Sequence, residues 1–236
     1  MKTPTAQELI SGGVMLIDKP TKWTSFDAVN QIKIVLRTKI GHCGTLDPLA
    51  TGLLICCTGD MTKSISDYQK LPKEYTGTIC LGATTETYDL ESQPINEKPY
   101  DHITNEMIME TSKQFVGDIM QVPPIHSAIK KEGKRSYDLA RAGQEVILEA
   151  RPITIGEFEI TEIALPDIKF RVTCSTGTYI RSLANDFGAA LGTGGYLKTL
   201  RRTKIGNFNV DDAISPLEWK KRINEEMPEL PKKKKR

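Results

Sequence analysis

Asp47 is the one carboxylate that stands in a setting suited to chemistry. It lies in Gly41-His42-Cys43-Gly44-Thr45-Leu46-Asp47-Pro48-Leu49-Ala50-Thr51-Gly52, twelve residues with three glycines and a proline. Ordered connections of that length usually carry function. Pro48 steers Asp47 away from the helical region into an extended conformation, and His42 is close by in sequence. That places one carboxylate on a rigid loop rather than on a solvated helix face. The alternative is a turn in which the Asp hydrogen-bonds its own backbone.

A cationic partner is available in Arg181, in the first turn of a predicted helix. A cation there is disfavoured by roughly 0.3–1 kcal/mol, which an anion between the helix end and the guanidinium would offset. Asp47 or a phosphate would serve, and an Arg reaching solvent is the plain alternative. Tyr75 and Tyr179 begin a strand and a helix, where element ends line clefts, although ordinary aromatic packing also explains them. Lys130, Lys131, Lys134, Arg135 and Arg141 surround Tyr137 and Gly133. They suit a solvated basic helix and loop, or a mobile flap over residues 122–150 that closes on phosphates. A second basic patch spans 198–204, with Arg201 and Arg202. His42 has no second ligand at metal spacing, and phosphate-loop, dinucleotide and zinc-deaminase motifs are missing. No metal or cofactor is expected.

The elements that must position these residues follow from periodicity and caps. Residues 14–17 read as a strand closed by Asp18-Lys19-Pro20. Thr24 caps a helix over 25–36 with Asp27 as capping-box partner, and Phe26, Val29, Ile32 and Leu36 form its core stripe. The apolar run 53–57 reads as a buried strand, 62–69 as a short helix, and 75–81 as a half-buried strand. Residues 82–99 form a polar loop, and Thr104 caps a helix to about residue 116. Strands follow at 153–163 and 168–174, then the Arg181 helix to about 191, a strand near 205–210, and a last helix opened by Ser215-Pro216. Strands outnumber regular β-α alternation, so the fold class is α+β with a mainly antiparallel sheet and flanking helices.

The chain of 236 residues suffices for one large domain or two small ones. No apolar run approaches the roughly 18 residues of a membrane span, and Met1-Lys2-Thr3-Pro4-Thr5 leads into no signal-peptide core. Five cysteines without CxxC pairing point to a reduced, cytoplasmic protein. The net charge is +2, of which Lys232-Lys233-Lys234-Lys235-Arg236 supply +5, leaving −3 for the rest. Residues 1–231 are therefore expected as one catalytic domain, and 232–236 as a disordered basic tail that contacts nucleic acid or is merely solvated. Any further polyanion site must be local.

Together these motifs resemble the tRNA pseudouridine-55 synthases, the TruB family. The resemblance rests on Gly41-His42-x-Gly44-x-Leu46-Asp47-Pro48-Leu49-Ala50-Thr51-Gly52 and on Ile17-Asp18-Lys19-Pro20. It extends through Leu81-Gly82, Thr85-x-Thr87-x-Asp89, Tyr137-x-x-Ala140-Arg141-x-Gly143 and Ala150-Arg151-Pro152-Ile153. Gly177-Thr178-Tyr179-Ile180-Arg181 and Leu200-Arg201-Arg202 complete it. It implies a pseudouridine-synthase fold with a catalytic cleft, and isomerisation of one T-loop uridine of tRNA without a cofactor. By resemblance Asp47 is the nucleophile, Arg181 pairs with it, and Tyr75 is a third catalytic residue that stacks on the flipped base and takes part in the final proton removal. His42, Tyr179 and Leu200 contact the nucleotide. Lys19 has a supporting role and, with the basic residues named above, is expected along the RNA backbone. The partner is the T-arm of tRNA, the protein a monomer, and a C-terminal PUA domain is absent. Competing readings are a tRNA-folding activity and a KH-like RNA-binding module, since residues 40–44 fit Gly-x-x-Gly. The latter demands a helix beginning at Thr45.

Overall fold

The computed structural model describes residues 3–125 and 148–228, together with the backbone of 130–131 and 134–135. Contacts divide the chain into two compact units, Met1–Leu71 with Arg201–Arg236, and Pro72–Leu200.

The first unit is built on β3 (Thr51–Thr58), whose residues from Gly52 onward are all buried. Leu54 and Cys56 face one cluster with Met15, Ile17, Ile32 and Trp219, and Leu53, Ile55 and Cys57 face another with Leu16, Ile205 and Val210. Burial on both faces explains why this strand reads as an unbroken apolar run rather than an alternating one. It pairs antiparallel with β1 (Val14–Lys19) and with β2 (Ile40–His42). It pairs parallel with the end of β10 (Gly195–Ile205), Arg201 opposite Thr51 and Arg202 opposite Gly52. The short β11 (Phe208–Asn209) folds back on β10.

Helices cover this unit. In α2 (Ser25–Leu36) the Thr24 side chain accepts the Asp27 N–H while Asp27 caps Thr24 in return. Its buried stripe is Ser25, Ala28, Val29, Ile32 and Leu36. Phe26, expected in that stripe, is instead 69% exposed: one residue past Ser25 the helix has turned about 100°, away from the core. α6 (Pro216–Glu226) docks through Trp219, whose indole donates to Leu16 O at 2.8 Å. A helix not expected from the sequence, α1 (Ala6–Gly12), starts with a Thr5–Glu8 capping box. A 3-10 turn at Gly59–Ser64 leads into α3 (Ile65–Lys70), where a single short helix was expected.

In the second unit the strands run in the order β10, β4 (Lys73–Leu81), β9 (Asp167–Cys174), β8 (Arg151–Ala164) and β5 (Gly117–Gln121). The β4–β9, β9–β8 and β8–β5 pairings are antiparallel. α5 (Ile180–Ala190) carries Phe187 into an aromatic cluster with Phe115 and Phe158, ring centroids 6.0 and 5.5 Å away. α4 (Asn105–Lys113) is capped by Thr104 as expected, but ends early, and residues 117–121 form the edge strand β5. Most of β10 also went unread as a strand, because Lys198, Arg201 and Arg202 interrupt any apolar pattern. Two short strands, β6 (Lys130–Lys131) and β7 (Lys134–Arg135), pair antiparallel. The rest of the expected flap, including Arg141, the side chains of these four basic residues, and the 232–236 tail lie outside the described residues.

Gly52 allows the parallel approach of β3 to β10. Its φ is +104°, and a Cβ there would lie 2.3 Å from Arg202 O. Gly177 has φ +85° with nothing within 4 Å, so substitution there meets only backbone strain. Gly52→Ala is expected to lower the unfolding free energy by about 3 kcal/mol and Gly177→Ala by about 1 kcal/mol, measured by urea unfolding. Equal effects would show that the close strand contact costs nothing.

Candidate active site

In the first unit the loop carrying Asp47 is gripped along its main chain. Cys43 N–H donates to Ile55 O at 2.8 Å, continuing the β2–β3 ladder one residue further. Gly44 O accepts from Arg202 Nη2 at 3.1 Å, and Leu53 O from Arg202 Nε at 2.7 Å. Leu46 N–H donates to Ser25 Oγ at 2.9 Å, and that hydroxyl lies 3.2 Å from Leu46 O. Pro48 O accepts from Lys22 N–H at 2.8 Å and from Lys19 Nζ at 3.3 Å. Asp47 itself is half-buried, and its carbonyl accepts the Ala50 N–H at 3.1 Å. Residues 45–50 form no helix and lead into β3, so the KH geometry is excluded.

Lys19 and Arg202 depart from the expected RNA-backbone role. They are 0% and 1% exposed, and their cationic ends reach the carbonyls of Pro20, Trp23 and Pro48, and of Gly44 and Leu53. Side chains so enclosed cannot lie along a phosphate chain. Burial pushes the Lys19 ammonium down to about 8, against the upward pull of the Asp47 carboxylate and with Arg202 lowering it further. His42 is half-buried on β2. Burial, with a smaller push from Arg202, lowers its pKa, which favours the neutral ring at neutral pH. Its Nδ1 is buried without a hydrogen-bond partner among the described residues. Arg201 is the surface member of its pair and makes a two-pronged contact with Asp18 at 3.0 and 2.8 Å. Cys43 and Cys57 are buried free thiols with sulfurs 3.6 Å apart.

The second unit carries Tyr75, Tyr179, Arg181 and Leu200. Arg181 is buried, with Nε 3.7 Å from Asp89 and Nη1 donating to Thr87 O at 3.1 Å. An anion thus does meet the cation in the first helical turn, and it includes Asp89, a residue without an assigned role in the sequence reading. The turn is shaped by Tyr88, at φ +63°, whose carbonyl accepts Leu197 N–H from β10. Tyr179 is the N-cap of α5 and has no side-chain cap of its own. Gln121, at the end of β5, holds its main chain instead: Oε1 accepts Tyr179 N–H at 2.8 Å, and Nε2 donates to Tyr179 O at 3.1 Å. Tyr75 is buried on β4 opposite Val172, and half-buried Leu200 ends this unit's part of β10. Ser25, Asp89 and Gln121 escaped the sequence reading. Asp89 stood in a quoted motif, and Ser25 adjoined a recognised cap.

The different burial of two adjacent arginines is measurable. Arg202→Ala removes the guanidinium donor from one buried and one half-buried carbonyl and is expected to cost about 3 kcal/mol of unfolding free energy. Arg201→Ala removes a solvent-facing ion pair and should cost less than about 1 kcal/mol in the same urea titration. Lys19 gives a pH signature. Its folded pKa of about 8 lies below the ordinary 10.5, so between these values the unfolded chain binds the extra proton. The unfolding free energy should therefore rise with pH across that window, by up to about 3 kcal/mol. Lys19→Met should lack this contribution, and parallel pH profiles for the two proteins would refute it.

Two family models match the chain. The TruB family pseudouridylate synthase N-terminal domain covers residues 32–180, and the tRNA pseudouridylate synthase B C-terminal domain covers 181–225. A Flavobacterium johnsoniae protein named tRNA pseudouridine synthase B is 57% identical over 218 residues, 89% of this chain and 95% of its own. A protein of the same name from Parabacteroides distasonis is 49% identical, over 89% of this chain and 93% of its own. Among solved structures, a chain of the "Crystal Structure of a Cbf5-Nop10-Gar1 Complex" superposes with a TM-score of 0.69 at 31% identity. It covers 89% of this chain, and this chain spans about half, 54%, of its length. The mainly antiparallel sheet with flanking helices is the pseudouridine-synthase fold. With two domain models together matching residues 32–225 and relatives this similar over nearly their whole length, the chain belongs to the TruB family of pseudouridylate synthases.

Proposed function

We propose that the protein converts the T-loop uridine at position 55 of tRNA to pseudouridine, with Asp47 as nucleophile. The observation that carries the reading is the family match over residues 32–225, within which Asp47 occupies the gripped loop. Isomerisation breaks the bond from uracil N1 to ribose C1′ and joins C5 to C1′. The C5 hydrogen leaves as a proton and N1 gains one, so atoms and electrons balance without an oxidant or reductant. A carboxylate that attacks the nucleoside splits this exchange into two easier steps. In this reading Arg181 pairs with Asp47, keeping it ionised and aimed. Asp89 and Thr87 O, which hold that guanidinium, then act to orient it.

The target base must leave its stack, at a cost of a few kcal/mol that aromatic stacking offsets. Tyr75 is assigned that stacking, and His42, Tyr179 and Leu200 the contacts around the flipped nucleotide. Arg201 and the basic residues of 130–141 are assigned to the tRNA backbone. The enzyme acts in this reading as a cytoplasmic monomer on the T-arm. No helix among the described residues is long and apolar enough to cross a membrane.

Tritium release from tRNA labelled at uridine C5 tests the assignment. Asp47→Asn keeps the shape and loses the nucleophile, and should cut turnover by more than about 10⁴-fold with tRNA affinity nearly unchanged. Substantial product from this variant would end the carboxylate mechanism. Arg181→Lys should lose about 100-fold in kcat, because a point charge does not reproduce a planar fork of donors. Near-normal turnover there would separate Arg181 from Asp47.

A further inference from the structure

The direction of a side chain is set by the two peptide planes that meet at its Cα. After Asp47, the plane is fixed by its own carbonyl, which accepts the Ala50 N–H at 3.1 Å, and by the Pro48 ring, which locks the next φ. Before Asp47, the plane contains Leu46 C=O, 3.2 Å from the Ser25 hydroxyl that donates to it. The same oxygen accepts Leu46 N–H at 2.9 Å. One hydroxyl therefore holds both main-chain groups of the residue preceding the carboxylate. A hydroxyl is suited to this, since a single atom both donates and accepts. Ser25 is 2% exposed, and helix α2 does not use it as a cap, because Thr24 and Asp27 fill that role.

We propose that Ser25 is a positioning residue for Asp47: it fixes the Leu46–Asp47 peptide plane, and through it the line of approach of the carboxylate. This rests on the reading of Asp47 as nucleophile. Lys19 and Arg202 grip the loop from neighbouring residues, one at Pro48 O and the other at Gly44 O. Ser25 acts on the peptide bonded to Asp47 itself. Without the hydroxyl, Leu46 loses both partners and its peptide is free to rotate. A displacement of about 1 Å at a reacting group costs about 100-fold in rate. Ser25 is enclosed and reaches no surface where RNA would lie, so binding should be spared.

The test uses full-length Ser25→Ala, Ser25→Cys, Ser25→Thr and Asp47→Asn. Tritium release at saturating tRNA is measured alongside tRNA binding, well below each protein's unfolding midpoint. Ser25→Ala should lower kcat by about 10- to 100-fold and leave the tRNA Kd within about twofold. Ser25→Thr, which restores the hydroxyl, should recover most of the loss. Ser25→Cys keeps the shape but donates and accepts weakly; it should fall between, and serves if Ser25→Ala does not fold. Wild-type kcat in the Ala or Cys variant, or a loss seen only in Kd or in unfolding midpoint, overturns the proposal. Asp47→Asn separates the two levels. Turnover by that variant removes the nucleophile reading, whereas an inert Asp47→Asn beside a fully active Ser25→Ala removes only the role of Ser25.

Discussion

A charge inside a protein must be met by charge or by dipoles, and here two buried cations are met by main-chain carbonyls. Lys19 and Arg202 between them take five, of Pro20, Trp23, Pro48, Gly44 and Leu53. Carbonyls are fixed to the backbone, and two of the five, of Gly44 and Pro48, belong to the Asp47 loop, so meeting these cations also holds the loop in shape. The loop is twelve residues long and would be costly to order without such partners. Its order depends on this exchange, and on β3, which is buried on both faces and anchors the loop's far end.

The second unit solves a similar problem with neutral and acidic groups. Arg181 enters the first turn of α5, where the helix end repels it, and Asp89 and Thr87 O supply the compensating negative field. Tyr179 opens the same helix without a capping side chain, and the Gln121 carboxamide takes both its main-chain groups. Tyr179 and Arg181 are thus each held by residues from a different element. Substitutions distant in sequence can then act through the same helix end.

The sequence made the Asp47 loop legible as a candidate site because glycines and a proline punctuate a long connection that carries a lone carboxylate. The caps were legible for the same reason: Thr24 with Asp27, Thr104, and Ser215 with Pro216 are local signals, and the structure forms each one. What was hidden is non-local. Lys19 and Arg202 looked like phosphate contacts because a cation's usual place is solvent, and nothing in composition reveals carbonyl acceptors contributed by distant turns. Ser25 was hidden by Thr24, which accounted for the cap. β10 went unread because its basic residues break the pattern, one of them buried. Phe26 shows the converse: an apolar residue at helical spacing that the surface keeps.

Because the clamps hold main-chain atoms, the shape of the Asp47 loop is largely decoupled from the side chains it carries. Thr45 is exposed and Leu49 half-buried, and no clamp described here uses either side chain. Sequence drift at such positions leaves the trace of the loop intact. Drift at Ser25, Lys19 or Arg202 alters that trace while the loop's own residues stay unchanged. The trace of this loop is therefore specified mostly outside it.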